Sequence, residues 1–540
     1  MLFSPGRRPF PVAPIKQITQ STPIPAPQKG INAVDGLIAM SPEEAIFMYN
    51  MAPSQYGTRV RTGYKEWVTS VDVNGVRTII PYTASVSAND KLFAVGQAGF
   101  YDISSTGTAP ALLLAFPSAT SVSGFGIWTA YTTVAGHFSL YCDEQNGYYV
   151  YTEAGAWAKV ALGGGANQVA NIDPDLFVAV TIFKERAWFV ERNSARAWYL
   201  PTGSIFGAAT VFNFGNKFKK GGTLEALFNW TVDGGQGVDD YLVAVSSGGD
   251  VVVYKGSDPS VATDFEQHGV WFIGPPPVGR RIGGSFGGEL CLLSSYGLLP
   301  MSSLVSGQLV QAEQTYLSRK ITPLVNLEMS STRTTRGWEV KLISKENTLI
   351  ISTPKREAFP FSQFAQSTNN QGWSIYRDIP YLNGEEWHGN FYIAAANGTA
   401  YILQDNLDNV SLNGLTSTLI SWSVLQAFSD VGEPGLYHIP QYVRPVFISE
   451  QVPAYGVEIH FDYNLSAASG SIVPGGSSSG TLWDVGIWDL SLWGGDFITA
   501  DNPQGADGIG RAMAIALNGQ SGAETILVRH DLMFTTGNML

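Results

Sequence analysis

The chain has 540 residues, 44% hydrophobic and 12% aromatic with 14 Trp, which excludes global disorder and provides for two or three packed units. Asp and Glu number 45 against 32 Lys and Arg, a net charge of −13 that argues against a protein gripping nucleic acid through its phosphates. Charged residues make up only 14%, against roughly 25% in a typical soluble domain, so much of the exterior is expected to be covered by other subunits.

Residues 1 to about 34 carry seven prolines, and the domain reading assigns residues 1–66 to a Pro-rich arm plus a short helix. Such a segment cannot form a helix interior or a central strand, because Pro lacks the N–H donor. It reads either as a disordered tail or as an extended arm along a neighbouring subunit. Ser41 as N-cap, Pro42 at the first helical position and Glu43–Glu44 at the positive end predict a helix with Ala45, Ile46, Met48 and Tyr49 as its apolar face. The prolines after Arg7 and Arg8 argue against a signal peptide. The uncharged stretch Ile103–Cys142 is too rich in Ser, Thr and Gly for a membrane helix, so no transmembrane segment or lipid anchor is expected.

From about residue 67 the pattern turns to short β-rich runs, most leading through a Gly or Asn turn into a second strand. One equivalent position can be taken in each: Leu92, Phe138, Ala187, Leu242, Leu290, Leu349 and Phe391, spaced 46, 49, 55, 48, 59 and 42 residues apart. Propeller blades repeat at roughly 40–50 residues, since four short strands and their turns consume that much chain. Residues 67–406 are therefore expected to form a degenerate six- or seven-bladed β-propeller, with two stacked β-sandwiches as the alternative. Residues 407–540 read as a C-terminal β-sandwich or platform, from strand-like runs at Thr416–Phe428, Val457–Tyr463, Met513–Leu517 and Thr525–Phe534. The predicted class is all-β.

A search for chemistry returns little. The six histidines are scattered without ligand spacing, and neither a nucleophile elbow nor a phosphate-binding loop occurs. No cofactor is expected. Cys142 and Cys291 read as free thiols in a reducing compartment. The adjacent acids Asp143–Glu144, Asp239–Asp240 and Glu385–Glu386 read as solvated hairpin-edge residues, because neighbours on a strand point to opposite faces and cannot serve together as a hydrolytic pair.

Several segments carry a resemblance. Gly36–Ala45 followed by Arg59 and Arg61-Thr62-Gly63-Tyr64, then Lys91–Val95 with Gly99 and Tyr101–Ile103, resemble the opening of short-tailed bacteriophage hub and nozzle proteins. Gly249–Pro259, Gly269–Gly274, Gly279–Arg281, Gly288–Leu290 and Tyr296–Ser302 are similar to the central block of that family, as are Arg444–Pro445 and Phe461–Tyr463 near the C-terminus. The Pro275–Pro277 run and the Ser/Gly-rich insertion after Tyr463 depart from it. The resemblance implies a non-enzymatic virion protein made in the bacterial host cytoplasm. It would be one of six copies in the tail nozzle below the portal and adaptor, contacting tail fibres or tip proteins. DNA would pass through without sequence-specific binding during genome ejection. On this reading Pro9, Pro11, Ser41, Pro42, Arg59 and Arg61 are candidate contacts to a subunit or adaptor. Asp143, Glu144, Asp239 and Asp240 are candidate channel acids that keep phosphates mobile by repulsion. A propeller-type glycan-degrading enzyme and a carbohydrate-binding tail fibre remain as alternatives.

Overall fold

The computed structural model describes residues 19–233, 238–306, 316–354, 362–404, 406–466, 470–473 and 498–537. The described chain is mostly β, with largely antiparallel sheets, and its central part is a β-propeller. Seven sheets among the described residues form the blades. Four are meanders of four strands each: Val76–Tyr82 to Leu112–Ala115, Gly126–Thr133 to Ala156–Lys159, Phe177–Phe183 to Thr210–Asn213, and Leu224–Asp233 to Glu266–Phe272. Blade five has three strands, Gly283–Phe286, Glu289–Ser294 and Gly297–Pro300, followed by the helices Met301–Val305 and Thr322–Thr332. Blade six runs from Glu339–Ile343 to Trp373–Arg377. Blade seven takes Asn383–Trp387, Asn390–Ala394 and Ala400–Leu403 from late in the chain and its outer strand, Tyr64–Thr69, from early in it. That pairing clasps the ring shut.

The seven positions used to count repeats all fall in the second strand of a blade. Those strands are apolar on both faces because each blade is packed between two others. In blade seven, Phe391 and Ile393 pack toward blade six while Tyr392 and Ala394 pack toward blade one. In blade one, Leu92 and Ala94 face blade seven, and Phe93 and Val95 join the aromatic cluster of blade two. The period of two thus distributes side chains between two interfaces rather than between core and water.

The C-terminal unit is a sandwich of two sheets, and it recruits the N-terminal segment. One sheet orders Ala45–Tyr49, Thr418–Gln426, Met513–Ser521 and Ala454–Phe461, and continues through Tyr49 and Ile375 into the outer strand of blade six. The other is centred on Thr525–Thr536. His438–Ser449 lies on one side of it, and Thr19–Pro25 and Gly57–Val60 lie on the other. Met48, Trp422, Val424 and Leu517 share one core with Val443, Phe447, Leu527 and Phe534. Sheet pairing therefore crosses both expected boundaries, at 66 and at 406.

The predicted helix after Ser41 is a correction. Ser41 N–H donates to Glu44 Oε2 at 3.0 Å and Glu43 N–H donates to Ser41 Oγ at 3.4 Å, so the cap forms, but only one turn follows. Ala45 then donates to Gly30 O and the chain enters a strand. Ile46, Phe47 and Tyr49 favour extended backbone, and pairing along Thr418–Gln426 stabilises more than a two-turn helix could.

Candidate functional site: the propeller axis

The first strand of every blade lies at the end of its sheet, so its inner edge is unpaired by any other strand. The inner edges of blades two to seven line a cavity of about 510 Å³ on the propeller axis. Small residues such as Gly126, Ala179, Ala226, Gly283 and Gly284 bring the backbones close to it. On its wall Lys341 Nζ lies 2.6 Å from Glu385 Oε2, while Trp128 Nε1 donates to Glu385 Oε1 at 3.2 Å. Blades two, six and seven are thereby tied together. Glu386 accepts from Ser344 N at 2.6 Å.

One end of this cavity is bridged by arginine. Arg281, just before the first strand of blade five, reaches to the opposite side of the ring. It donates to Arg77 O at 3.1 Å, to Thr78 Oγ1 at 2.5 Å and to Gly126 O at 3.0 Å, in blades one and two. Arg280 points outward to Glu144 Oε1 at 2.8 Å, and Arg336 donates to the same oxygen at 3.0 Å. A hollow of about 20 Å³ lies beside this cluster and shares both Arg280 and Arg281 with the main cavity. Burial lowers the affinity of Arg280 for its proton, but Glu144 and Glu225 more than restore it, so its pKa lies above the ordinary value.

Glu339, at the start of blade six, accepts from Tyr381 OH at 2.8 Å and from Asn383 Nδ2 at 2.7 Å. Burial pushes its carboxyl above the usual range against the opposing pull of Arg281 and Lys341. Asn383 in turn accepts from Ile79 N at 2.7 Å, linking blades six, seven and one. Glu385 is neutralised by Lys341, Glu386 is bonded to backbone and both oxygens of Glu339 are occupied. The lining is thus arranged for hydrogen bonding, with its acids already committed to partners.

The candidate contacts from the sequence fall in three places. Pro9 and Pro11 lie outside the described residues. Ser41 and Pro42 form the turn already described, with Pro42 exposed. Arg59 pairs with Glu346 at 3.3 Å, joining the sandwich to blade six. Arg61 is a correction: its side chain is wholly buried and cannot touch a neighbouring subunit. It donates to both oxygens of Asp408, at 2.7 and 2.6 Å, and to Asn50 Oδ1 at 2.9 Å. The Arg61-Thr62-Gly63-Tyr64 segment is where the chain leaves the sandwich for the propeller. Gly63 is needed there because a Cβ would stand 2.0 Å from Leu407 O, and Tyr64 OH anchors the crossing by donating to Asp378 O at 2.8 Å.

Two of the channel acids, Asp143 and Glu144, are corrected as well. Asp143 is fully buried and accepts from Gly124 N at 2.6 Å and Asn146 N at 2.8 Å; burial raises its pKa although these bonds oppose the shift. Glu144 is 4% exposed and held by Arg280 and Arg336. Asp240 pairs with Lys184 at 2.7 Å. The side chain of Asp239 lies outside the described residues. Asp143 and Glu144 thus stabilise their own subunit, Asp143 through donors of its own turn and the preceding loop and Glu144 through two distant arginines.

Glu385–Glu386, read from sequence as a hairpin edge, stand beside that hairpin turn in the first strand of blade seven, where they also line the axial cavity. Arg281, Glu339 and Lys341 were not singled out for the cavity. Their one available signal was position: each stands at or just before the first strand of a repeat, on the side of the blade that faces the axis. Among the described residues no three His, Cys, Asp or Glu group as a metal site, and no helix is long and apolar enough to cross a membrane.

No protein-family model matches the chain, and no curated protein matches it. Solved structures do. The computationally designed Ika8 protein is 6% identical over 63% of this chain and 99% of its own, with a TM-score of 0.35. The β-propeller domain of Cps50 (Swd1) from Myceliophteria thermophila is 11% identical over 63% of this chain and 98% of its own, at 0.36. YCF48 bound to D1 peptide is 12% identical over 69% of this chain and 97% of its own, at 0.34.

Proposed function

We propose that this chain is a structural subunit of a short-tailed bacteriophage nozzle or hub. Six copies would form a ring below the portal and adaptor, through which DNA passes during ejection. The family resemblance supplies that reading, and one surface feature supports it physically. Residues 104–142 contain no Asp, Glu, Lys or Arg, and they include the outer strand of blade one, Leu112–Ala115. That strand lies at the end of its sheet, with Leu112 and Leu113 exposed by 44% and 49%. An apolar edge strand without a charge to guard it pairs indiscriminately unless something covers it. In a permanent assembly a second copy of the chain would cover it. The conducting channel in this proposal is the lumen of the ring of copies; the axis of each propeller, crossed by Arg281, takes no part.

Native mass spectrometry and negative-stain imaging test the proposal. The wild-type chain, alone or with its adaptor, is expected to form six-fold rings with a central hole. Leu112→Glu with Leu113→Lys is expected to yield folded monomers. A wild-type chain that stays monomeric and cleaves polysaccharide would overturn it in favour of a glycan-degrading propeller.

A further inference from the structure

The axial cavity carries an inference separate from assembly. Three properties define what it can hold. Its volume of about 510 Å³ falls within the roughly 300–1,000 Å³ of small-molecule sites. Its wall is made largely of unpaired strand edges, which offer backbone N–H donors and C=O acceptors in alternation around the ring. Its charged groups are engaged: Glu385 pairs with Lys341 and Arg280 with Glu144 and Glu225, while Glu339 accepts from Tyr381 and Asn383 and Glu386 from Ser344 N. Arg281 spends its donors on Arg77, Thr78 and Gly126 and so bridges one end.

Among the described residues an anion would find Arg281 without an acidic partner but with its donors already spent on carbonyls and Thr78, and a cation would have to compete with Lys341 for Glu385 or with Ser344 N for Glu386. A purely apolar ligand would strand the strand edges without partners, which is costly for each buried group. A neutral molecule bearing many hydroxyls matches all three properties, because each hydroxyl both donates and accepts. Trp128, held in place by its bond to Glu385, adds an aromatic surface to the same wall. We infer that the propeller axis is a binding site for a neutral saccharide of one or two rings, entering from the end opposite Arg281.

The test uses the full-length chain and three probes: lactose, 3′-sialyllactose as an acidic counterpart, and spermidine. Saturation-transfer NMR and calorimetry are expected to show lactose binding with a Kd on the order of 1 mM, with the other two weaker. Lactose should also slow hydrogen exchange in Gly126–Thr133 and Glu339–Ile343 of the wild-type chain, a readout that needs no variant. Ser285→Trp and Thr181→Trp place bulk into the cavity from separate blades, and each should weaken lactose at least about tenfold with an unchanged melting temperature. The inference is overturned if lactose neither binds nor slows exchange, if binding survives both filling substitutions, or if a charged probe binds more tightly. Ring formation is scored separately by imaging, so either proposal can fail while the other stands.

Discussion

Arg61 and Asp408 lie 347 residues apart and meet through two hydrogen bonds of 2.7 and 2.6 Å, at the place where the chain enters and leaves the propeller. Val60 ends the last N-terminal strand of the sandwich, and Tyr64 begins the strand that closes blade seven. Asp408 stands on the return path, in the short strand Leu407–Asp408 that pairs with Thr418–Gln426. A single buried ion pair therefore pins both crossings between the two units.

Removing one partner leaves an uncompensated buried charge. Arg61→Met or Asp408→Leu alone is expected to destabilise the chain by about 3–5 kcal/mol, whereas the double variant should recover much of that loss. Urea denaturation of the four chains of the cycle measures this. Additive losses would show that the two residues act independently.

Gly63→Ala tests the crossing itself. With Leu407 O only 2.0 Å from the new Cβ, the two backbones must separate. A loss of about 2–3 kcal/mol is expected, together with faster hydrogen exchange in Tyr64–Thr69. Unchanged exchange there would mean that the close approach is unimportant to closure.

Arg281→Met removes the tie across the propeller axis and leaves Arg77 O and Gly126 O without this donor. A loss of about 2–3 kcal/mol is expected. Exchange should quicken at the first strands of blades one and two, while blades three and four are little affected. Uniform loosening of the whole ring would argue against a local tie.

His530 lies in the sandwich, 1% exposed, and burial lowers its pKa from 6.5 to about 3 against the pull of Asp531. The folded chain therefore binds fewer protons here than the unfolded one. The stability contribution is complete above pH 6.5 and is lost as the pH falls toward 3. Between pH 6.5 and pH 5 this residue should remove about 2 kcal/mol. Urea unfolding at the two pH values, with His530→Leu as a flatter control, measures the slope. Equal slopes in both chains would place the dependence elsewhere.

The sequence alone located the blades through their second strands, Leu92 to Phe391, and did so for a local reason. A hairpin is specified by a turn and the few residues on either side of it, and a strand buried on both faces reads as an apolar run whatever surrounds it. The same locality misled at Ser41, where a sound helix cap precedes residues that a distant strand claims. Glu144 was misplaced for a similar reason: whether this acid at a turn faces water depends on Arg280 and Arg336, 136 and 192 residues away. Only the tertiary structure decided which strand completes blade seven, how the N-terminal segment joins the C-terminal sandwich, and that Arg281 spans the axis. Each of these pairs partners that become neighbours only once a ring of seven sheets has closed, and no local pattern encodes a distance across a ring.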